Sequence, residues 1–130
     1  CVYRAKREEL LPEGADTSRH CFMQLTLKDK SGHTVAETVC FFDKTKNLLL
    51  PETTVSYKMK QADGRCELTL TSPALAKDVF IETPLQGARF SDNFFDLLPG
   101  ERKTVTITSP HIKKGEPLSV RINHIRETYK

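Results

Sequence analysis

From Thr53 onward the sequence alternates apolar and polar residues in short runs, and each run ends at a Gly or Pro corner. Val55, Tyr57 and Met59 alternate with Ser56, Lys58 and Lys60. Cys66, Leu68 and Leu70 alternate with Glu67, Thr69 and Thr71. Val105 and Ile107 stand inward of Lys103, Thr104, Thr106 and Thr108, and Leu118, Val120 and Ile122 inward of Ser119, Arg121 and Asn123. Successive side chains of an extended backbone point to opposite faces, so this period of two is what a half-buried strand requires. Ala62-Asp63-Gly64, Ser72-Pro73-Ala74, Pro84 to Gly87, Ser109-Pro110 and Lys114-Gly115-Glu116-Pro117 supply the turns. Many short strands at such spacing, with no long helical pattern, predict an all-β antiparallel β-sandwich.

Phe90 to Glu101, FSDNFFDLLPGE, departs from that alternation. Phe90, Phe94, Phe95, Leu97 and Leu98 are its apolar members, with Ser91, Asp92, Asn93 and Asp96 set among them. Pro99-Gly100 then turns the chain, because Pro fixes its own φ and Gly tolerates a positive one. The expectation is a segment that fills the sandwich interior, followed by a corner and a strand. The helical offsets of Phe90, Phe94, Leu97 and Leu98, with Ser91 or Asp92 as cap, leave a single helical turn as the alternative.

The first third reads differently. Residues 1–20 form a leader or linker, with Cys1 to Arg7 as an edge strand, a loop over Glu8 to Gly14 and a polar linker from Asp16 to His20. Residues 21–47 hold a β-hairpin: Cys21 to Lys28 with Met23, Leu25 and Leu27 on one face, a turn at Asp29 to Gly32, and Thr34 to Phe42 as partner. Asp43 to Asn47 is a charged loop, and Leu48 to Pro51 a linker pressed on a surface. The sandwich domain is expected over 48–130, either alone or with the hairpin built into it.

A chain of 130 residues makes one ordinary domain with a real core, or one domain with a fragment of a neighbour. The net charge of +3 comes from cations interleaved with acids, without a basic run, which argues against nucleic acid or an anionic membrane as partner. No apolar run approaches a membrane span, no signal peptide is present, and the start at Cys1 without Met reads as a cut piece of something longer. The cysteines at 1, 21, 40 and 66 lack the spacing of a zinc or redox site and read as free thiols, Cys66 as a small buried hydrophobe.

Three segments resemble a known family. Phe90 to Ile107, FSDNFFDLLPGERKTVTI, is similar to the signature of the C-terminal immunoglobulin-like domain of β-mannosidases in glycoside hydrolase family 2. Ser72 to Phe80, SPALAKDVF, resembles that family's segment upstream of the signature. Thr38 to Pro51, TVCFFDKTKNLLLP, resembles its aromatic strand and linker, although Asp43-Lys44-Thr45-Lys46 replaces the usual W-P-P-K. Related exo-glucosaminidases share the signature, so the resemblance is firmer for the family than for the sugar. It implies an immunoglobulin-like sandwich of the divergent kind, since no Trp is present. It also implies a parent enzyme with a sugar-binding-like sandwich, a (β/α)₈ barrel carrying both catalytic glutamates, and further immunoglobulin-like domains. The hairpin at 21–47 would then be the last two strands of the preceding sandwich. Other domains of that glycosidase, and an oligosaccharide, are the partners this implies, with no cofactor. Secretion or periplasmic export would suit glycan breakdown, but no residue here specifies a compartment.

Within the chain, no residue is expected to be catalytic. Asp92 and Asp96 are the pair to weigh, since retaining glycosidases use two carboxyls about 5 Å apart. Their apolar surroundings favour carboxylates that bond local backbone. His20, His33, His111 and His124 lack metal-site spacing, with His33 and His111 expected at the surface and His124 on a strand. Ser31, Ser72, Ser91 and Ser109 sit at turns or in the signature, without a nucleophile elbow. Sugar binding by the domain itself would need exposed flat aromatics, for which Tyr3, Tyr57, Tyr129 and Phe42 are the candidates. The sequence therefore predicts a noncatalytic accessory domain, with a carbohydrate- or protein-binding module as the alternative.

Overall fold

The computed structural model describes residues 4–11, 13 and 17–129, and the chain divides into two units, Cys1–Leu49 and Leu50–Lys130. The strand expected at Cys1 to Arg7 falls partly outside the described residues, and residues 4–6 carry no regular structure. The loop and linker expected next contain two single helical turns instead, Arg7–Leu10 (α1) and Thr17–His20 (α2). Local hydrogen bonds explain both. Lys6 N donates to Glu9 Oε2 (3.0 Å) while Glu9 N donates back to Lys6 O (3.1 Å), and Cys21 N donates to Thr17 O (3.0 Å).

Phe22–Lys28 (β1) and Thr34–Phe41 (β2) form the expected hairpin, in register from Phe22 opposite Phe41 to Leu27 opposite Ala36, with a bulge before Lys28 meets Thr34. Asp29 closes its turn: Oδ1 accepts from Ser31 N (2.8 Å) and His33 N (3.0 Å), while Gly32 takes φ +85°. The expected apolar face is not buried, because Leu25, Leu27 and Val35 remain 44%, 60% and 63% exposed. After it, Thr45–Asn47 (η1) forms a 3₁₀ turn inside the segment expected as a loop. Asp43 Oδ1 holds that turn by accepting from Lys44 N (2.7 Å) and Asn47 Nδ2 (2.8 Å). Arg19 Nε donates to Asn47 O (2.7 Å) and Leu49 N to Arg19 O (2.9 Å), tying α2 to this end of the unit.

The second unit is an antiparallel sandwich. Ser56–Ala62 (β3) and Arg65–Thr71 (β4) pair through a tight Asp63-Gly64 turn in which Gly64 has φ +76°. Ala76–Glu82 (β5), Arg89–Phe90 (β6), Phe95–Leu97 (β7), Lys103–Thr108 (β8) and Arg121–Asn123 (β9) follow. One sheet has the order β3-β4-β8-β6, the other β7-β5-β9. Cys66, Leu68, Leu70, Val105 and Ile107 from the first, with Ala76, Val79, Ile81 and Leu97 from the second, form one core and are at most 2% exposed. At roughly 25 cal/mol per Å² of apolar area removed from water, these apolar side chains are the main source of stability. Leu118, Val120 and Ile122 pack on that core as expected, but only Arg121–Asn123 pairs as a strand, and a 3₁₀ turn, Ile125–Thr128 (η2), follows.

Two inward assignments are corrected. Tyr57 lies opposite Leu70, on the core face, yet it is 46% exposed. It stands on an edge strand of the four-stranded sheet, and the facing sheet has only three strands. Phe94, expected in the interior, is 70% exposed, and the signature contains strand and corner with no helical turn.

Candidate functional site

The polar residues of the signature hold backbone. Ser91 N donates to Thr106 O (2.9 Å) and Ser91 Oγ accepts from Thr106 N (2.9 Å), extending the pairing of β6 with β8. Asn93 reciprocates both polar groups of one residue on β5: Oδ1 accepts from Ile81 N (2.8 Å) and Nδ2 donates to Ile81 O (3.0 Å). Glu101 Oε2 accepts from Leu98 N (2.9 Å), and Gly100 N donates to Ser72 O (2.9 Å).

The two aspartates serve different partners. Asp92 Oδ2 lies 2.7 Å from Lys103 Nζ on β8, and Oδ1 accepts from Asn93 N (2.9 Å). The hydrogen bond from Lys103, then its charge and that from Asn93 N, outweigh desolvation and hold this carboxyl below the usual aspartate range. Asp96 fills a bulge. Ala76 pairs with Leu97 and Val79 with Phe95, so β5 carries one residue more than β7 in between. Asp78 takes up the extra residue at φ +50°, and its N–H donates to Asp96 Oδ1 (3.0 Å). Lys77 Nζ lies 3.2 Å from Asp78 Oδ1 and 3.6 Å from Asp96 Oδ1. One aspartate thus ties to the four-stranded sheet and the other to β5 of the facing sheet.

The same scaffold displays an aromatic ring. Phe94 has φ +59°, a left-handed conformation that costs a bulky L-residue roughly 1–2 kcal/mol. Its N–H donates to Asn93 Oδ1 (3.1 Å), so the side chain that grips Ile81 also fixes the strained residue. Its ring stacks on Phe80 with centroids 5.8 Å apart and planes 18° apart. Phe80 pairs with Asn123 and Glu82 with Arg121 across β5 and β9, which sets these four side chains on one outer face. Asn123 Nδ2 donates to Glu82 Oε2 (3.2 Å) across that face. Sequence reasoning missed this display, because the left-handed backbone at Phe94 that turns its ring outward breaks the strand alternation on which that reasoning relied.

Of the aromatics proposed for sugar, Tyr3 lies outside the described residues. Phe42 is half-buried. Tyr57 lines a shallow depression with Ser56, Lys58, Thr69, Thr71 and Arg102. Tyr129 is 44% exposed, with the Arg126 guanidinium 5.2 Å over its ring. A second hollow near that tyrosine is lined by Glu52, Thr53, His124, Arg126, Glu127 and Tyr129. Arg126 Nη2 pairs with Glu52 Oε1 (2.9 Å) across it.

The histidines do not converge. His20, His33 and His111 are exposed, as expected for the last two. His124, expected on a strand, stands just beyond β9 and is buried. Its Nε2 lies 3.0 Å from Thr53 O, and its backbone N–H donates to Glu127 Oε2 (3.1 Å), fixing the start of η2. No three His, Cys, Asp or Glu side chains form a metal-holding group among the described residues. Ser72 Oγ lies 2.8 Å from Thr53 Oγ1, Ser31 N donates to Asp29 Oδ1, and Ser109 Oγ accepts from His111 N (3.2 Å). Cys21, Cys40 and Cys66 are free thiols, and burial, with Glu67 adding to it, pushes the Cys66 thiol above its usual range.

Comparison with known proteins adds to this geometry. Residues 50–128 match the family model of the Ig-fold domain of mannosidases. No curated protein sequence matches the chain. Among solved structures, the β-D-mannosidase from Dictyoglomus thermophilum is similar, with a TM-score of 0.62 and 21% identity, over 80% of this chain and 13% of that one. At that identity the likeness is one of fold, and the chain spans only a small part of that protein's length. The matched share of the 130 residues is larger than Leu50–Lys130 alone, so it extends into the first unit.

Proposed function

The chain belongs to the mannosidase Ig-fold domain family, and on that premise we propose that it is the noncatalytic C-terminal accessory domain of a β-mannosidase-type enzyme of glycoside hydrolase family 2. The parent would hydrolyse terminal non-reducing β-D-mannose, and this chain would pack on the parent's other domains. The observation that carries the reading is the family match over residues 50–128. The commitment of Asp92 to Lys103 and of Asp96 to the β5 bulge supports it, because both carboxylates brace backbone or a lysine. The likeness to a mannosidase of which this chain covers 13% supports a role as one module among several.

The first unit supports the same reading. A two-stranded hairpin is marginal in water when it stands alone, and β1–β2 leaves Leu25, Leu27 and Val35 to solvent. Its assignment as the last strands of a preceding sandwich gives those side chains a sheet to join.

The test compares this chain with the protein encoded by the complete reading frame, using p-nitrophenyl β-D-mannoside. Turnover is expected only from the complete protein, with two barrel glutamates encoded upstream. Turnover by the 130-residue chain alone would overturn the noncatalytic reading, and a frame with no barrel would overturn the parentage.

A further inference from the structure

We propose that the outer face of the β7-β5-β9 sheet is a saccharide platform, on which Phe94 receives one hexose ring of a glycan while Asn123, Glu82 and Arg121 take the glycan's hydroxyl groups. Four observations converge there. Phe94 is the most exposed large apolar side chain among the described residues, and Phe80 backs it with a nearly parallel ring. Asn93 Oδ1 accepts from the N–H of the left-handed Phe94, and two hydrogen bonds anchor Asn93 itself to Ile81, so the exposure is built in and not a frayed end. Strain that persists because its surroundings over-determine it is characteristic of ligand clamps. The strand register then places the Asn123 amide opposite Phe80, with the Glu82 carboxylate and the Arg121 guanidinium paired two residues along the same face. Beyond the Asn123–Glu82 bond, neither Asn123 Oδ1, Glu82 Oε1 nor the Arg121 guanidinium has a protein partner among the described residues.

That arrangement matches a hexose. A pyranose has a flat C–H face, which an aromatic ring accepts, and a rim of hydroxyls that both donate and accept. Asn, Glu and Arg at the margin supply both kinds of partner. A protein partner would have to cover about 800 Å² per side, whereas the exposed aromatic surface here is that of one stacked pair. The Glu82 carboxylate beside the rings disfavours a phosphate-bearing ligand. Only the choice of a mannan as the first probe rests on the proposed parentage.

The experiment is an amide-resolved NMR titration of the 130-residue chain with β-1,4-mannohexaose, and in parallel with cellohexaose. Saturable shifts are expected at Phe80, Glu82, Phe94 and Asn123. Phe94→Gly relieves the positive φ but gives up the ring stack on Phe80, so its melting temperature should stay close to the parent's while its affinity drops on the order of tenfold. Asn123→Ala should also weaken binding, and Tyr57→Ala should leave it unchanged. Binding of cellohexaose alone supports the platform and counts against the mannosidase parentage. No saturable binding of either sugar overturns the proposal, as does binding that survives Phe94→Gly. A Phe94→Gly chain that fails to fold also overturns it, because Phe94 would then be structural.

Discussion

At the scale of single residues, Asn93 does with one side chain what a neighbouring strand does with a peptide group. It satisfies Ile81 N and Ile81 O together, where β7 no longer pairs with β5. Asn93→Ala leaves both groups without that partner and frees the strained Phe94. The expected loss is about 2–3 kcal/mol in urea unfolding, from two half-buried hydrogen bonds and the polar groups they satisfy. Asp92 offers a pH test. Its folded pKa is depressed, chiefly by the hydrogen bond from Lys103, so its contribution to stability is complete above the unfolded aspartate value of about 3.9. That contribution disappears as the pH falls through the lower folded value. Asp92→Asn should therefore be slightly less stable than the parent near neutrality and indistinguishable from it at the acid end, in urea titrations across that range. The difference is small, because the Asp92 side chain is 45% exposed and solvent screens the pair.

At the scale of elements, β4 is the strand on which the larger sheet depends. It is flanked by β3 and β8, and Cys66, Leu68 and Leu70 are all fully buried. Leu68→Ala should cost about 2–5 kcal/mol, measured by chemical denaturation, because the cavity cannot collapse between two sheets. The hairpin β1–β2 is the opposite case. Its amides should exchange with deuterated solvent much faster than those of β4 and β8 in the isolated chain, since little apolar surface covers it. Equal protection of the two would contradict the exposure of Leu25 and Leu27. The period of two made β4 and β8 legible in sequence, because both strands have one buried and one open face. The same period was present in β1, yet alternation shows only which residues share a face and never what covers that face. Tyr57 was misplaced for that reason, at an edge strand where its core-side position is open to water. The two single-turn helices were missed because hydrogen bonds within a few residues make them, with too few turns for any apolar period to register.

At the scale of the whole molecule, the two units differ in what they can sustain alone. Leu50–Lys130 contains the complete two-sheet core, so a chain of those residues should still unfold cooperatively, with one calorimetric transition. A broad, uncooperative melt of that shortened chain would mean that the core needs residues before Leu50. What the sequence by itself determined was the all-β class, the strands β3, β4 and β8, the buried residues of β4 and β8, and the corner at Pro99-Gly100. Those follow from local rules: a period, a turn chemistry, a run of branched side chains. Only the tertiary structure decided that Asp92 and Asp96 serve different sheets, that His124 is buried against Thr53 O, and that Phe94 faces outward on Phe80. Each of those joins positions well apart in sequence, and no local pattern states which distant backbone a polar side chain will hold or which ring another ring will meet.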